Sequence, residues 1–213
     1  MTDPAPTPVP VPAPEAAAAP APRHAADGSV PAELDARFRD RAAAEGLLDA
    51  AWDIAESPIG PLLLAATARG LAWIGFDADD DGLDRAAAAL GHRLLRVPRL
   101  LDPAQRELDG YFTGRVHAFE LAVDLAGLPA FQRSVLEELQ RVPYGSTATY
   151  AELALRVGNP RAARAVGGAL NRNPVPIVVP CHRIVGSSGS LTGYAGGLER
   201  KRALLALEGA TLV

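Results

Sequence analysis

Apolar positions recur along this chain in two rhythms, a period near two in the middle and a period near 3.6 in the second half. Trp52–Ser57, Gly60–Thr67 and Leu71–Phe76 read as strands, with Pro58, Gly60 and Gly70 breaking them at hairpin spacing. Asp77–Asp81 reads as a polar turn. Leu83–Leu90 and Pro103–Phe112 read as helices, the latter with Asp102 as N-cap and proline in the first helical position. Val116–Leu125 reads as a further strand, with Val116, Ala118 and Leu121 apolar. Upstream, Pro31–Ala50 predicts a helix that gathers Leu34, Phe38, Ala42, Leu47 and Leu48 roughly on one face, weakened near its end by Gly46. Residues 1–30 are a Pro- and Ala-rich tail with too little apolar surface to offset chain entropy, so disorder or polyproline conformation is expected there.

The second half predicts helices. Ala130–Val142 places Phe131, Val135, Leu136 and Leu139 at helical spacing and stops at Pro143-Tyr144-Gly145. Thr149–Val157 is a short helix capped by Thr147 or Thr149, Gly158-Asn159-Pro160 a turn, and Arg161–Leu170 another helix. Two short helices around a Gly-containing turn suggest a helix-turn-helix, a pattern that an ordinary helical hairpin shares. The helix Arg161–Leu170 is bare, with Ala162, Ala163, Ala165, Gly167, Gly168 and Ala169. Such a surface suits close packing on a neighbouring helix. Paired with Arg161 and Arg164, it also suits close approach to DNA. The expected organisation is therefore a tail (1–30), a helix (31–50), an α/β domain with a small antiparallel sheet (51–127) and a mainly α domain (128–213), with Gly127–Pro129 at the boundary.

A chain of 213 residues with 48% hydrophobic and 22% charged residues can bury one or two cores. No apolar run is long enough to span a bilayer, and the N-terminus lacks the basic and apolar regions of a secretory signal. One cysteine excludes an internal disulfide and a Cys-rich zinc cluster, and a cytoplasmic location is expected. His24, His92 and His117 show no ligand spacing, so no metal is assigned, and no cofactor is implied. The net charge of −4 is unevenly distributed. Residues 128–213 carry ten Lys and Arg against five Asp and Glu, whereas residues 1–127 carry eleven against twenty. A basic back half suits phosphate contact, although ordinary surface solubility would look the same.

The chemistry-bearing segment is Asn173-Pro174-Val175-Pro176-Ile177-Val178-Val179-Pro180-Cys181-His182-Arg183. A thiol reacts as the thiolate, and a free cysteine has a pKa of roughly 8.5, so Cys181 needs a base or positive charge nearby. His182 and Arg183 are the candidates. On an extended chain adjacent side chains point to opposite faces, so His182 would reach the sulfur only through a water or a bend. A lone cysteine is more often a small buried hydrophobe. Pro180 before it and the polar loop Gly186–Gly189 after it favour a position at a rim.

With these residues in hand, the chain resembles the O6-alkylguanine-DNA alkyltransferases. Pro180-Cys181-His182-Arg183 is similar to the family's signature. Ser57-Pro58-Ile59-Gly60-Pro61-Leu62, Leu108–Gly114, Phe131–Leu136, Pro143–Gly145, Thr149–Ala154 and Ala163–Gly167 resemble its other motifs in order, so the likeness spans about residues 51–210. The resemblance implies that Cys181 accepts the alkyl group, that His182 draws the thiol proton through a water, and that Glu208 holds His182 basic. It implies that Asn173 braces the turn, that Tyr150 protonates the departing guanine, and that Arg164 fills the gap left by the flipped nucleotide. Arg161, Tyr150, Ala165 and Gly167 would meet the DNA. Tyr194, Ala195, Val185 and Pro176 would line the guanine site, with Ala195 standing where many relatives carry a polar residue. The implied protein is a monomer that binds double-stranded DNA through the minor groove, needs no cofactor and reacts once per molecule.

Plainer readings stand beside these. Glu208 could be a surface residue at the end of a helix Leu198–Glu208, Tyr150 a core aromatic and Arg164 part of a solvated helix face. Two other function classes compete. A helix-turn-helix regulator would not need Pro180–Arg183, Tyr150, Asn173 and Glu208, and a damage sensor that flips the base without reacting would lack Cys181. A Cys-His hydrolase would draw its Cys and His from separate elements, and no Gly-x-Ser-x-Gly elbow occurs.

Overall fold

The computed structural model describes residues 31–210. The expected disorder of residues 1–30 lies outside that range. The elements run α1 (Ala32–Ala44), β1 (Ala50–Ala55), β2 (Leu62–Thr67), β3 (Gly70–Gly75), α2 (Asp80–Leu90), β4 (Leu94–Arg96), α3 (Pro98–Phe112), α4 (Ala130–Leu139), β5 (Ala148–Thr149), α5 (Tyr150–Arg156), α6 (Ala163–Asn171), β6 (Ile184–Val185) and α7 (Leu198–Leu207).

The first half is an α/β unit. Its sheet has the order β3-β2-β1-β4. The first three strands form an antiparallel meander, with Asp53 opposite Leu64 and Leu64 opposite Ile74. The sheet is not purely antiparallel, because β4 pairs with β1 in parallel, Ala51 beside Leu95. A strand of three residues carries too little alternation to be seen in sequence. Leu62, Leu63, Leu64 and Ala65 are all buried, because α2 covers one face of β2 and α3 the other.

Three expectations about this half are corrected. Val116–Leu125 is not a strand; it runs beside β3 with one bridge, Leu71 to Val123. Two backbone bonds hold it there, Leu71 N to Ala122 O at 2.8 Å and Asp124 N to Leu71 O at 2.9 Å. Side chains add to them, with Thr67 Oγ1 donating to Asp124 Oδ2 at 2.7 Å and Arg69 Nε donating to Asp124 Oδ1 at 3.0 Å. At Gly70 (φ 138°) a Cβ would lie 2.3 Å from Ala122 O, so only glycine permits this approach. Helix α3 begins at Pro98, not Pro103, so Asp102 is no cap; Pro98, following Val97, takes the first helical position. Helix α1 does not use its apolar residues as a core face. Leu34 and Phe38 are exposed and only Ala42 is buried. Polar contacts reach across from α1 instead, Arg99 to Asp40 and Arg39 to Arg96 O.

The second half is mainly helical. Val135, Leu136, Leu139, Leu153, Val166, Ala169 and Leu170 bury one face each of α4, α5 and α6 against one another. Thr149 starts α5 with a capping box: its side chain accepts from Glu152 N while the Glu152 carboxylate accepts from Thr149 N. Arg161 falls in the turn, since α6 starts only at Ala163. The pair β5 and β6, parallel through Ala148 and Ile184, ties the start of α5 to the chain leaving Arg183.

Candidate active site

The site is built on the loop from Asn173 to Arg183. Asn173 organises it with three bonds. Its Oδ1 accepts from Val175 N at 3.1 Å, and its Nδ2 donates to Val179 O at 2.8 Å and to Cys181 Sγ at 3.2 Å. The loop is tight enough to hold Ile177 at φ 76°, a left-handed conformation that costs a β-branched residue about 1–3 kcal/mol. Burial of Val175, Ile177 and Val179 opposes that cost. The first half of the chain supports the loop as well, for Ile74 N in β3 donates to Pro174 O at 2.8 Å.

After Pro180 the chain does not continue extended. Cys181–Arg183 is a turn of 3-10 helix, which supplies the bend the sequence left open. Cys181 lies within the protein rather than on a rim, with 7% of its surface accessible. Burial pushes its thiol up to about 11 against the opposing pull of the Asn173 amide and the Lys201 charge. The thiol therefore rests protonated near neutral pH, and a reaction at sulfur requires a base.

That base has the geometry of a relay. His182 Nε2 lies 2.8 Å from Glu208 Oε1, with both side chains fully buried. Burial alone would raise the Glu208 carboxyl, but hydrogen bonds from His182 and Arg183 outweigh it and hold the group at about 2. An ionised Glu208 fixes the proton of neutral His182 on Nε2 and leaves the lone pair on Nδ1. Nδ1 has no hydrogen-bond partner among the described residues. Burial drives the imidazole pKa below its usual value, so His182 is neutral and available to accept a proton.

Cys181 opens onto a cavity of about 230 Å³ lined by Tyr150, Gly167, Leu170, Tyr194, Ala195 and others. Tyr150 enters from the first turn of α5, and its hydroxyl accepts a long bond from Thr192 Oγ1 at 3.4 Å. The Tyr194 hydroxyl is buried without a partner among the described residues, and burial holds its proton on. A Cβ at Gly167 would come within 3.7 Å of the Tyr150 ring. Two expected lining residues lie elsewhere. Val185 faces a different cavity with Thr147 and Thr149, because β6 pairs with β5. Pro176 lines the neighbouring cavity with Trp73 and Arg172, because the loop turns before it reaches the sulfur. Arg161, Arg164 and Ala165 are exposed on the surface that α6 and its preceding turn present.

Sequence reasoning missed two members of the site, Lys201 and Tyr111, and gave a third, Arg183, a different task. Arg183 donates from Nε and Nη2 to Glu208 and from Nη1 to Val142 O, so it serves the carboxylate rather than the thiol. Lys201 is fully buried, its ammonium donating to Ile184 O at 2.5 Å and Thr192 O at 2.8 Å. Tyr111, from α3 in the first half, donates to Glu208 Oε1 at 2.7 Å. Tyr111 stood inside a family-like motif without an assigned role; Lys201 shares a helical stripe with Leu204, Leu205 and Glu208, a signal that its charge conceals.

Comparison with known proteins accounts for most of the chain. Residues 51–125 match the ribonuclease-like domain and residues 130–210 the DNA-binding domain of 6-O-methylguanine DNA methyltransferase. The chain is 45% identical over 157 residues to the methylated-DNA–protein-cysteine methyltransferase of Methanosarcina barkeri, covering 74% of this chain and 96% of that one. The chain belongs to the 6-O-methylguanine DNA methyltransferase family. Among solved structures, the Mycobacterium tuberculosis O6-methylguanine methyltransferase superposes with a TM-score of 0.64 at 39% identity, over 75% of this chain and 93% of that chain. A Mycobacterium tuberculosis relative crystallised in complex with DNA gives 0.65 at 39% identity, over 74% and 92%. The Pyrococcus kodakaraensis O6-methylguanine-DNA methyltransferase gives 0.58 at 27% identity, over 76% and 99%. As in the family, an α/β unit precedes a helical domain, and in this member the relay to Glu208 draws on both. No helix among the described residues is long and apolar enough to cross a membrane.

Proposed function

We propose that this family member repairs alkylated DNA by moving an alkyl group from O6 of guanine to Cys181, once per molecule. The observation that carries the proposal is the Glu208–His182 contact beside a cysteine that opens onto a cavity of about 230 Å³. The printed names of its relatives support the same chemistry.

The reaction needs a soft nucleophile at the alkyl carbon and an acid at the departing base. The Cys181 proton passes through a water to His182 Nδ1, and Glu208 stabilises the imidazolium that forms. The Cys181 sulfur then bonds to the alkyl carbon as the carbon–O6 bond breaks. The electron pair leaves with guanine, which takes a proton from Tyr150. Asn173 steadies the sulfur through its amide. The product thioether is a poor leaving group, so nothing in the site returns the cysteine.

O6 lies inside the duplex, so the nucleotide must leave the stack, at a few kcal/mol. Arg164 fills the gap, while α5, the intervening turn and α6 act as a helix-turn-helix on double-stranded DNA. Arg161, Ala165 and Gly167 approach the backbone and groove, and Tyr194 and Ala195 close over the guanine. The division into segments 1–30, 31–50, 51–127 and 128–213, a monomeric state and a cytoplasmic location complete the proposal.

The deciding experiment is intact mass after incubation with an O6-methylguanine duplex. One methyl increment on the peptide carrying Cys181 is expected. Tight binding with unchanged mass would favour a damage-sensing protein without chemistry.

A further inference from the structure

We propose that Tyr111, held in the first half of the chain, is a positioning residue that sets the basicity of His182 through Glu208. The inference rests on the transfer reading above and adds to it a control point outside the helical domain.

The geometry is specific. Glu208 Oε1 accepts three strong donors at once: Tyr111 Oη at 2.7 Å, His182 Nε2 at 2.8 Å and Arg183 Nη2 at 2.9 Å. Glu208 Oε2 takes Arg183 Nε at 2.9 Å and Gly145 N at 3.2 Å. Tyr111 and His182 therefore compete for charge on one oxygen. The phenol spans 97 positions of sequence to reach it.

Packing does not explain that hydroxyl. The Tyr111 ring already sits in an aromatic cluster, 5.3 Å from Phe112, 5.3 Å from Phe119 and 6.0 Å from Tyr144. Phenylalanine would fill the same space. What tyrosine adds is one donor to the carboxylate that orients the base. Burial and the Glu208 charge keep the phenol protonated, so it always donates.

The other charged or titratable groups around the relay come from separate elements. They are Arg183 and Cys181 on the 3-10 turn, Lys201 on α7, Tyr144 before β5 with His117 stacked on it, and Tyr194 in the segment before α7. None needs to move when the Tyr111 hydroxyl is removed. Losing that donor leaves more negative charge on Oε1 facing the imidazole, which favours the imidazolium. The acid limb of the transfer rate, where His182 becomes protonated, then shifts to higher pH. A stronger phenol donor shifts it to lower pH.

The test measures single-turnover transfer from an alkylated duplex across pH for the wild-type protein, for Tyr111→Phe and for the full chain carrying a fluorotyrosine at position 111. Fluorotyrosine keeps ring and hydroxyl, so it answers even if Tyr111→Phe folds poorly. The expected result is an acid limb raised by about half a unit or more in Tyr111→Phe and lowered with fluorotyrosine. A merely structural tyrosine would change the melting temperature and leave both limbs in place, and that outcome overturns the proposal. Wild-type protein that takes up no alkyl group would sink the transfer reading and this inference together; normal wild-type transfer with unmoved limbs would sink the role of Tyr111 alone.

Discussion

Glu208 Oε1 stands 2.8 Å from His182 Nε2, both side chains fully buried, and the same carboxylate is gripped by the largely buried Arg183 guanidinium. One anion thus neutralises a buried cation and orients a buried base. The two tasks can be separated by changing its charge while keeping its shape.

Glu208→Gln is expected to slow alkyl transfer by about 10²–10⁴-fold, the range for loss of an oriented general base. The buried Arg183 would also lose its counter-charge, which costs about 3–5 kcal/mol. Single-turnover kinetics and urea unfolding on the same preparation check both parts. A full-speed variant would remove Glu208 from the relay.

Acid should destabilise the protein in two stages. His182 has a folded pKa below its ordinary 6.5, so the unfolded chain binds the extra proton first and stability declines as pH falls below about 6.5. Glu208 drops from 4.5 to about 2 on folding, so its contribution is complete above 4.5 and is lost as pH falls from there toward 2. Unfolding midpoints measured from pH 7.5 to 3 should begin to fall below about 6.5 and fall again below 4.5. A midpoint independent of pH between 6.5 and 4 would contradict the buried, ionised pair.

Asn173→Asp would place a carboxylate where an amide now donates to the Cys181 sulfur and to Val179 O. The thiol should become harder to ionise, by about a unit or more. The pH midpoint for reaction with a small thiol reagent should rise, and alkyl transfer should slow at least about tenfold. An unshifted midpoint would show that the amide does not act on the sulfur.

Arg164 is exposed, so Arg164→Ala should change stability by less than about 0.5 kcal/mol. If Arg164 fills the stack, transfer from an alkylated duplex should slow about tenfold or more, since flipping itself costs a few kcal/mol. Transfer from the free alkylated base should hardly change. Equal slowing on both substrates would count against that role.

Cys181→Ala should take up no alkyl group and still bind an O6-methylguanine duplex, as read by mass and by fluorescence anisotropy. Label retained by this variant would place the acceptor elsewhere.

Much of this was legible because it is local. The cap at Thr149, one of the two threonines the sequence offered, the β1–β3 meander and the order of motifs around Cys181 depend on residues close in sequence. The misreadings are equally instructive. Val116–Leu125 alternates like a strand, yet strands need a partner's backbone, and here β3 supplies a single bridge. Leu34 and Phe38 lie on one helix face, but polar contacts from α1 to α3 and β4 help place that helix instead.

By itself the sequence determined the family and pointed to Cys181, its neighbour His182 and the distant Glu208 as candidate site residues. Only the tertiary structure decided how those residues work together. The 3-10 turn at Cys181–Arg183 bends the chain so that Cys181 meets the Asn173 amide while His182 meets Glu208. Folding also brings Tyr111 across 97 positions to the carboxylate and buries Lys201 beside the segment that lines the cavity. The reason is electrostatic: a charge or hydroxyl in a sequence has no fixed energy until the fold sets its distance from partners and water.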